Sequence, residues 1–411
     1  MKKINLKQAE KDISNIFDTI DGIELYNQKK IIDAFRKNKV ESRHFYPSSG
    51  YGYGDISRDK LDDVFADVFG AQSAFVRPHF ASATHALTLS LRALLSPGDT
   101  ILSVTGRPYD TIATAIGLSG DYKNTLLERG VHYSEIPLLP SGEINYSALE
   151  KVLREQNIKL LFMQRSRGYE WRRSLSVQDI KKAADIAARI NPDTIVYVDN
   201  CYGEFTQTAE PTELGADIAV GSLIKNAGGG IAPTGAYIAG RKQYVDLIKE
   251  FFTSPGTGGE IGSYEASYRP FYQGLFVAPH TVAQALKGAV LFSYCYEKLG
   301  FEVMPGAFDE RYDITQSIKL SKECEVVEFC KSIQKNSPID AHVVPEPWDM
   351  PGYADKVIMA AGTFVQGASI ELSADAPIRE PYIVYMQGGL TYSHLKIALK
   401  DTLESIGVTV E

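Results

Sequence analysis

The chain has 411 residues, of which 44% are hydrophobic and 23% are charged, with a formal net charge of −8. This length predicts one large domain and a smaller one, and the composition is typical of a globular protein. The negative balance argues against nucleic acid as the main partner, because phosphate binding requires a basic surface. The chain lacks a run of about 18 apolar residues, and its charged start, MKKINLKQAEKDI, is unlike a signal peptide. We therefore expect a cytoplasmic protein with no membrane partner.

The spacing of cysteine and histidine predicts neither a disulfide framework nor a metal site. None of the four cysteines belongs to a CxxC motif, and the seven histidines include no HExxH motif. We expect free thiols and no catalytic metal. The cysteines are Cys201, Cys295, Cys324 and Cys330.

Residues 1–45 carry apolar side chains at helical spacing and predict an N-terminal helical arm. After an irregular segment, SSGYGYGDISRD, short β-branched or aromatic runs alternate with amphipathic helices, one beginning at Ser82 and one capped by Ser176 and Asp179. Because this alternation requires crossover connections, residues 46–289 are expected to form an α/β domain with a mostly parallel seven-stranded sheet. The strands are predicted at SAFV, TILSV, VHYSEI, KLLFMQ, TIVYVD, DIAVGS and GAYIAG.

From about residue 290 the pattern changes, and residues 290–411 predict a smaller α+β domain. Its helices are expected near residues 321–334 and 393–406. Its strands are predicted at FEVMP, DITQSIKLS, KVIMAAG, SIELSA and YIVYMQ.

Reactive side chains follow two strands of the predicted sheet, at the edge where ligands of open parallel sheets bind. Lys225 comes after DIAVGS, and Asp199 ends TIVYVD. A lysine at a buried strand end loses solvation, which is expected to lower its pKa and to free the amine as a nucleophile. Such an amine forms a Schiff base with an aldehyde, and the usual aldehyde is pyridoxal phosphate. Asp199 would then pair with the protonated pyridine nitrogen of that cofactor, since a buried carboxylate needs a partner.

The cofactor also needs a phosphate site. Ser82, Ala83 and Thr84 begin a predicted helix, where free backbone N–H groups and the helix dipole favour an anion. Ser222, three residues before Lys225, adds a hydroxyl group. The three glycines in GSLIKNAGGGIAPTG are expected to let the backbone turn and pass close to the cofactor. They follow the lysine, whereas a nucleotide-binding GxxxxGK[ST] loop has the opposite order.

These motifs resemble those of the fold type I pyridoxal-phosphate enzymes of cysteine and methionine metabolism. VDNCYGEF followed by ELGADIAVGSLIKN is similar to the aspartate strand and lysine strand of the cystathionine lyase and methionine γ-lyase group. SATHAL, GRPYDT, QRSRGYEWRRSL, YQGLFVAPH and IREPYIVYMQGGLTYSH resemble the aluminium-resistance branch of that group. The resemblance covers nearly the whole chain from about residue 45.

The resemblance implies roles for individual residues. Lys225 would bond to the cofactor and move protons at the substrate Cα, and Tyr109 would stack on the ring and assist proton transfer. Arg379 would bind the substrate α-carboxylate. The group completes each site at a dimer interface, which implies a homodimer or homotetramer whose neighbouring chain supplies cofactor contacts. The residues in the corresponding region are Tyr51, Tyr53 and Arg58.

The segment QRSRGYEWRRSL has four arginines and no counterpart in the better-known lyases. Arg165 and Arg167 form either a solvated basic edge or a site for an acidic group of the substrate. Arg172 and Arg173 are open to the same two interpretations.

The most concrete interpretation is a pyridoxal-phosphate-dependent carbon–sulfur lyase that acts on a cystathionine- or methionine-type amino acid by β- or γ-elimination. An aminotransferase, or another reaction at Cα with the same residues, is one alternative. A catalytically silent protein of this fold, linked to aluminium resistance, is another. Product analysis separates the first alternative, because elimination releases a thiol and ammonia without a keto-acid acceptor.

Overall fold

A computed structural model gives the fold and describes residues 2–350 and 355–411. The N-terminal part of the chain is helical, as predicted. Asp55 begins its last helix by accepting hydrogen bonds from the N–H groups of Ser57 and Arg58. The elements of this part are β1 (Lys3–Ile4), α1 (Leu6–Asp12), α2 (Ser14–Lys37) and α3 (Ile56–Val68).

A seven-stranded sheet forms the centre of the molecule, and its strands coincide with the segments predicted as strands, with only Arg77 falling outside them. The strands are β2 (Ser73–Arg77), β3 (Thr100–Ser103), β4 (His132–Glu135), β5 (Leu160–Gln164), β6 (Ile195–Asp199), β7 (Ile218–Ser222) and β8 (Ala236–Gly240). Their order is β2-β8-β7-β6-β5-β3-β4. The pairs from β7 to β4 are parallel, whereas β8 is antiparallel to both of its neighbours. The predicted fold class is confirmed.

Helices cover both faces of this sheet, because its strands are apolar on both faces. Along β5, Leu160 and Phe162 enter one core, and Leu161 and Met163 enter the core on the other side. The helices are α4 (Ala83–Leu94), α5 (Asp110–Ile116), α6 (Tyr146–Glu155), α7 (Val177–Ile190) and α8 (Lys242–Phe252). Short 3₁₀ helices span Ser42–Phe45, Pro211–Leu214, Asn226–Gly228 and Gly258–Glu260.

The capping box predicted at the start of α7 is confirmed. The Ser176 hydroxyl accepts a hydrogen bond from the N–H of Asp179 at 3.0 Å, and the Asp179 carboxylate accepts one from the N–H of Ser176 at 2.9 Å. Two orphan backbone donors are thus satisfied by side chains three residues apart.

A single 30-residue helix, α9 (Arg269–Lys298), follows α8. It is long and apolar enough to cross a membrane, but most of its apolar stretch is buried inside the protein, as in a core helix. It packs against α2 and against the 3₁₀ helix after Lys225. The domain boundary predicted between residues 289 and 290 falls within this helix, and the domain limits stay a prediction.

The C-terminal part forms a five-stranded antiparallel sheet with two helices. Its elements are β9 (Glu302–Met304), β10 (Thr315–Lys319), α10 (Glu323–Lys335), β11 (Val357–Ala360), β12 (Ser373–Pro377), β13 (Ile383–Gln387) and α11 (Tyr392–Ser405). The strand order is β11-β12-β13-β10-β9. The last strand, β14 (Thr409–Val410), instead pairs in parallel with β1.

The strand predicted at SIELSA is misplaced, because β12 begins only at Ser373. The preceding residues form a turn that Glu371 holds. Its carboxylate accepts hydrogen bonds from the backbone N–H groups of Phe364 and Val365, both at 2.9 Å. A side chain that anchors a loop in this way competes with the ladder of a sheet.

The triple glycine after Lys225 packs against α9. A Cβ on Gly228 would lie 1.6 Å from the Leu223 carbonyl oxygen, and a Cβ on Gly229 would lie 2.4 Å from the Gly274 carbonyl oxygen. Gly229 and Gly230 have φ values of +57° and +75°, so the predicted sharp turn is present. The predicted close approach to a cofactor stays a prediction, and these glycines are not among the described residues that line the cavity beside Lys225.

Replacing Gly228 with alanine is expected to lower the free energy of unfolding by about 3 kcal/mol, because the new methyl group overlaps backbone that cannot move away. Urea denaturation measures this change. The matched control is Gly22→Ala in α2, where a Cβ meets nothing within 4 Å, and where alanine should raise the free energy of unfolding by about 0.5–1 kcal/mol. Equal stability of the two variants would contradict the packing described here.

Candidate active site

A cavity of about 460 Å³ lies between the two sheets. One wall contains the carboxyl ends of β5 and β6 together with Lys225, and the opposite wall is a face of the C-terminal sheet. Asp199, Lys225 and Tyr109 come from separate parts of the chain and line this cavity together. The structure therefore brings the lysine and the aspartate proposed from sequence into one enclosed space.

Asp199 is the last residue of β6 and is 3% exposed. Its Oδ1 atom accepts a hydrogen bond from the backbone N–H of Cys201 at 3.2 Å. Burial raises the pKa of the Asp199 carboxyl, and the charge of Lys225 opposes part of that rise. A buried carboxylate is stabilised by a facing cation, so this position suits a protonated ring nitrogen.

Lys225 follows β7, and its Nζ atom lies 4.2 Å from the centre of the Tyr202 ring in a cation–π contact. Burial alone would lower the pKa of Lys225, but acidic groups around the amine raise it well above its ordinary value. These groups belong to Cys201, Tyr202, Tyr109 and Asp199, in decreasing order of effect. The lowered pKa expected from sequence is therefore wrong.

Tyr109 is held in the cavity wall at two points. Its backbone N–H donates a hydrogen bond to Gln164 Oε1 at 2.9 Å, and its hydroxyl shares one with Thr84 Oγ1 at 2.9 Å. Burial raises the pKa of Tyr109, so the phenol keeps its proton at neutral pH. This fixed ring is compatible with the stacking role implied for Tyr109, which stays a prediction.

The start of α4 lies beside this tyrosine. Ser82 caps the helix by accepting a hydrogen bond from a first-turn N–H at 3.1 Å, and Ala83 is the first helical residue. Thr84 contacts the Tyr109 hydroxyl directly. Ser222 is buried at the end of β7, where its hydroxyl accepts a backbone hydrogen bond at 3.3 Å. The phosphate role of these four residues stays a prediction, because the described cavity lining does not include them.

The opposite wall follows from side-chain alternation in the C-terminal sheet. Asp375 of β12 is in register with Met359 of β11 and with Tyr385 of β13, so the three side chains share one face. The cavity-facing set is Thr315, Val357, Met359, Asp375, Pro377, Tyr385 and Gln387. The residues on the other face, which enter the core, include Ile358, Ala374, Ala376, Val384 and Met386.

The sequence profile of the methionine gamma-lyase family matches residues 2–407. The chain belongs to this family. A carbon–sulfur lyase involved in aluminum resistance from Clostridium novyi NT is 51% identical, with a TM-score of 0.94 over 98% of this chain and 94% of its own. YnbB of Bacillus subtilis, an uncharacterized protein, is 46% identical over 97% of this chain and 95% of its own. The family and the branch expected from sequence are confirmed.

A more distant structure shares only the fold. The pyridoxal-5'-phosphate-dependent protein YhfS of Escherichia coli is 15% identical, with a TM-score of 0.64 over 99% of this chain and 98% of its own. Membership of the methionine gamma-lyase family implies pyridoxal phosphate as the cofactor. The cavity fits that group, because Lys225 offers an amine and Asp199 a buried carboxylate whose raised pKa marks the lack of a full counter-charge.

Two of the arginines proposed for substrate binding line the cavity of this methionine gamma-lyase relative. Arg379 follows β12, and its half-exposed side chain forms an ion pair with Asp355 at 2.8 Å. Arg167 is buried, donating to the Met304 carbonyl at 2.7 Å and lying 3.5 Å from the Asp313 carboxylate. Both positions are compatible with an anion in the cavity, and both roles stay predictions.

Arg165 does not line the cavity, and its predicted substrate role is wrong. The side chain is fully buried in a polar network, where Nη1 donates to Asn200 Oδ1 at 2.8 Å and Nη2 donates to Gln207 Oε1 at 3.1 Å. The Glu210 carboxylate lies 3.7 Å away and compensates its charge. This arginine holds the side chain of Asn200, next to Asp199, and its donors are taken up by residues of the chain.

The other two arginines of this segment also have partners in the chain. Arg172 donates to Glu170 at 2.6 Å and to the Ser166 carbonyl at 2.7 Å. Arg173 forms a two-bond contact with Asp179, at 2.7 and 2.9 Å, which extends the capping box of α7. Three of the four arginines in this segment therefore stabilise the surrounding chain through hydrogen bonds. Arg167 is the arginine of the segment that lines the cavity.

The three residues implied to contact the site of a neighbouring chain differ in their exposure to solvent. Tyr51 and Tyr53 are 70% and 65% exposed and stack on each other, with ring centres 5.6 Å apart. Arg58 is fully buried in its own chain, where it donates to the Gly52 carbonyl at 3.0 Å and pairs with Asp59 at 2.9 Å. The contacts predicted for Arg58 and Tyr53 with another chain's cofactor both stay predictions, although Arg58 is buried in its own chain.

Two cavity residues were missed from sequence. Tyr202, under the amine of Lys225, lies in the motif VDNCYGEF, so its closeness to Asp199 was an available signal. Asp375 lies in SADAP, where apolar and polar residues alternate as in a strand with one face in the core. The misplaced strand at SIELSA hid that alternation.

Proposed function

We propose that this chain is a pyridoxal-phosphate-dependent carbon–sulfur lyase that releases a thiol from a sulfur-containing amino acid by β- or γ-elimination. The observation that carries the proposal is the shared cavity of Lys225, Asp199 and Tyr109. Membership of the methionine gamma-lyase family supports it, as does the likeness to the Clostridium novyi carbon–sulfur lyase.

The side chains that line the cavity have different proposed roles in this reaction. When bound, pyridoxal phosphate supplies the electron sink that delocalises the negative charge left at the substrate Cα. Asp199 would accept a hydrogen bond from the ring nitrogen and keep it protonated. Lys225 would hold the cofactor through its amine, and Tyr109 would orient the ring from the cavity wall.

Lys225 then moves the proton. As a free amine it takes the proton from Cα, and the resulting ammonium is the proton source for the departing sulfur. Water completes the reaction by releasing the keto acid and ammonia.

Arg379 is the proposed partner of the substrate α-carboxylate. Its ion pair with Asp355 is half exposed, so a substrate can replace the aspartate without leaving a buried charge behind. Its two terminal nitrogens suit the two oxygens of a carboxylate. Arg167 lies deeper, already neutralised by Asp313, and is the proposed second anion contact.

We also propose that the enzyme assembles as a homodimer or homotetramer in the cytoplasm, with Tyr53 reaching the cofactor of a neighbouring chain. The exposed, stacked rings of Tyr51 and Tyr53 support this, because exposing two aromatic rings to water is unfavourable and burial at an interface would remove that cost. Sedimentation of the holoenzyme gives the number of chains.

The test of the proposed function is product analysis with the purified holoenzyme. Thioether amino acids, including L-cystathionine and L-methionine, are expected to give a thiol, a keto acid and ammonia in equal amounts. Turnover that requires an added keto-acid acceptor would instead identify an aminotransferase. Binding of the cofactor with no turnover of any thioether would reject the lyase and favour a silent protein.

A further inference from the structure

Asp375 is an acidic side chain in the middle of the cavity wall formed by the C-terminal sheet. Its neighbours in register, Met359 and Tyr385, place it on the cavity-facing side of β12. The alanines on either side of it, Ala374 and Ala376, enter the core. The backbone of a central strand therefore fixes the direction of this carboxylate, and it cannot swing out to solvent.

The carboxylate is only partly satisfied by the protein. It is 9% exposed, and its Oδ2 atom accepts a long hydrogen bond from Gln387 Nε2 at 3.5 Å, while the Tyr169 side chain is a second donor to the carboxylate. Its Oδ1 atom is buried with no hydrogen-bond partner among the residues that the structure describes. A buried polar atom left in this way is costly, unless a ligand supplies the missing contact.

Three charged residues that line the same cavity already have opposite charges beside them. Arg379 pairs with Asp355, Arg167 with Asp313, and Glu170 with Arg172. Across the described residues, Asp375 takes part in no such ion pair. Burial raises the pKa of Asp375 to about 7, and hydrogen bonds from Tyr169 and Gln387 offset only part of that rise. A cation in the cavity would restore the ionised form.

We propose that Asp375 is a specificity-determining residue that binds an ammonium group on the leaving side of the substrate. The substrate class is then a thioether amino acid whose departing thiol carries its own amine. This inference rests on the proposed lyase function and adds the chemistry of the part of the substrate that leaves as the thiol.

An ammonium group fits this position better than the other groups a thiol could carry. It donates to the unpaired Oδ1 atom and neutralises the carboxylate in one contact. An alkyl group would leave Oδ1 unpaired, which costs binding energy and thus disfavours simple S-alkyl substrates. A second carboxylate would face an acid and would bind only while Asp375 is protonated.

The test compares two substrates that differ in one group. The pair is L-cystathionine and its analogue in which hydrogen replaces the amine on the leaving thiol. The wild-type holoenzyme is expected to favour the amine-bearing substrate in kcat/KM. In the Asp375→Asn variant this preference should fall by roughly 10- to 100-fold, the usual loss for a hydrogen bond to a charged group, and the fall should be mainly in KM.

Glu170→Gln is the matched control, because Glu170 is another acid in the cavity lining whose loss changes the net charge equally. Its substrate preference should stay within about threefold of wild type. Asp375→Glu, which keeps the charge, should recover part of the preference lost in Asp375→Asn. Bound-cofactor absorbance and thermal unfolding of each variant show whether a loss comes from misfolding.

Two results would overturn the inference, and they are distinguishable. If wild type releases thiol from both substrates and Asp375→Asn keeps the same preference, Asp375 does not recognise the amine, although the lyase function stands. If wild type releases thiol from neither substrate, nor from any other thioether, the proposed function itself fails and this inference fails with it.

Discussion

Replacing Lys225 with alanine is expected to abolish covalent attachment of pyridoxal phosphate and to lower thiol release by about 10³-fold or more. The reason is that one amine, enclosed in the cavity with Asp199 and Tyr109, serves both as the attachment point and as the base at Cα. Borohydride reduction followed by mass spectrometry of the peptide that contains residue 225 measures the attachment. Thiol release is measured on the same preparation.

The matched control for this variant is Lys242→Ala, which removes an exposed lysine at the start of α8 that pairs with Asp246 on the surface. It should retain the reducible adduct and wild-type turnover. A borohydride-stable cofactor bond in Lys225→Ala would show that another amine forms the attachment, and the assignment of the cavity would have to be abandoned.

Asp199→Asn is expected to separate activity from stability. An amide cannot hold the ring nitrogen protonated, so kcat should fall by about 10²-fold or more. The free energy of unfolding without cofactor should stay equal or rise, because burial raises the pKa of this carboxyl and the amide removes the cost of burying a charge. Steady-state kinetics and urea denaturation provide the two measurements.

Asp217→Asn is the control for that experiment. Asp217 is a buried acid on the same sheet, but it accepts a hydrogen bond from the N–H of Val196 at 2.7 Å and pairs with Arg241, away from the described cavity lining. Its loss should reduce stability and leave turnover per folded molecule unchanged. If Asp199→Asn lost stability and kept its activity, its carboxylate would be structural and the proposed role would be wrong.

Much of the central fold was predictable from sequence because its signals are local. Most strands of the large sheet are short apolar runs, and the capping box of Ser176 and Asp179 marks the start of its helix within four residues. The common cavity of Asp199 and Lys225 was also predictable, since Asp199 ends one strand and Lys225 follows its parallel neighbour. These features depend on residues that are close in sequence or on one rule of sheet geometry.

The errors arise where contacts come from distant parts of the chain. The pKa of Lys225 depends on side chains of two other segments, around residues 109 and 199–202, which burial alone does not reveal. Arg165 and Arg167 are only two residues apart in the sequence. Arg165 nevertheless donates a hydrogen bond to Asn200, whereas Arg167 lines the cavity. The position of Asp375 in the cavity wall follows only from its strand register with Tyr385, which the sequence does not give. Sequence patterns give residue types, but not which partners a side chain meets.

The long helix α9 has a mechanical consequence. Near its start, Gly274 packs against the glycine loop that follows Lys225, and near its end, the Ser293 hydroxyl donates to the Pro305 carbonyl at 2.9 Å, beside the C-terminal sheet. This one helix thus contacts both walls of the cavity. Because it connects them, a hinge motion between Lys225 and the C-terminal sheet is disfavoured, and a substrate must enter through movement of loops and side chains. The length of the substrate must therefore match the fixed distance between the two walls.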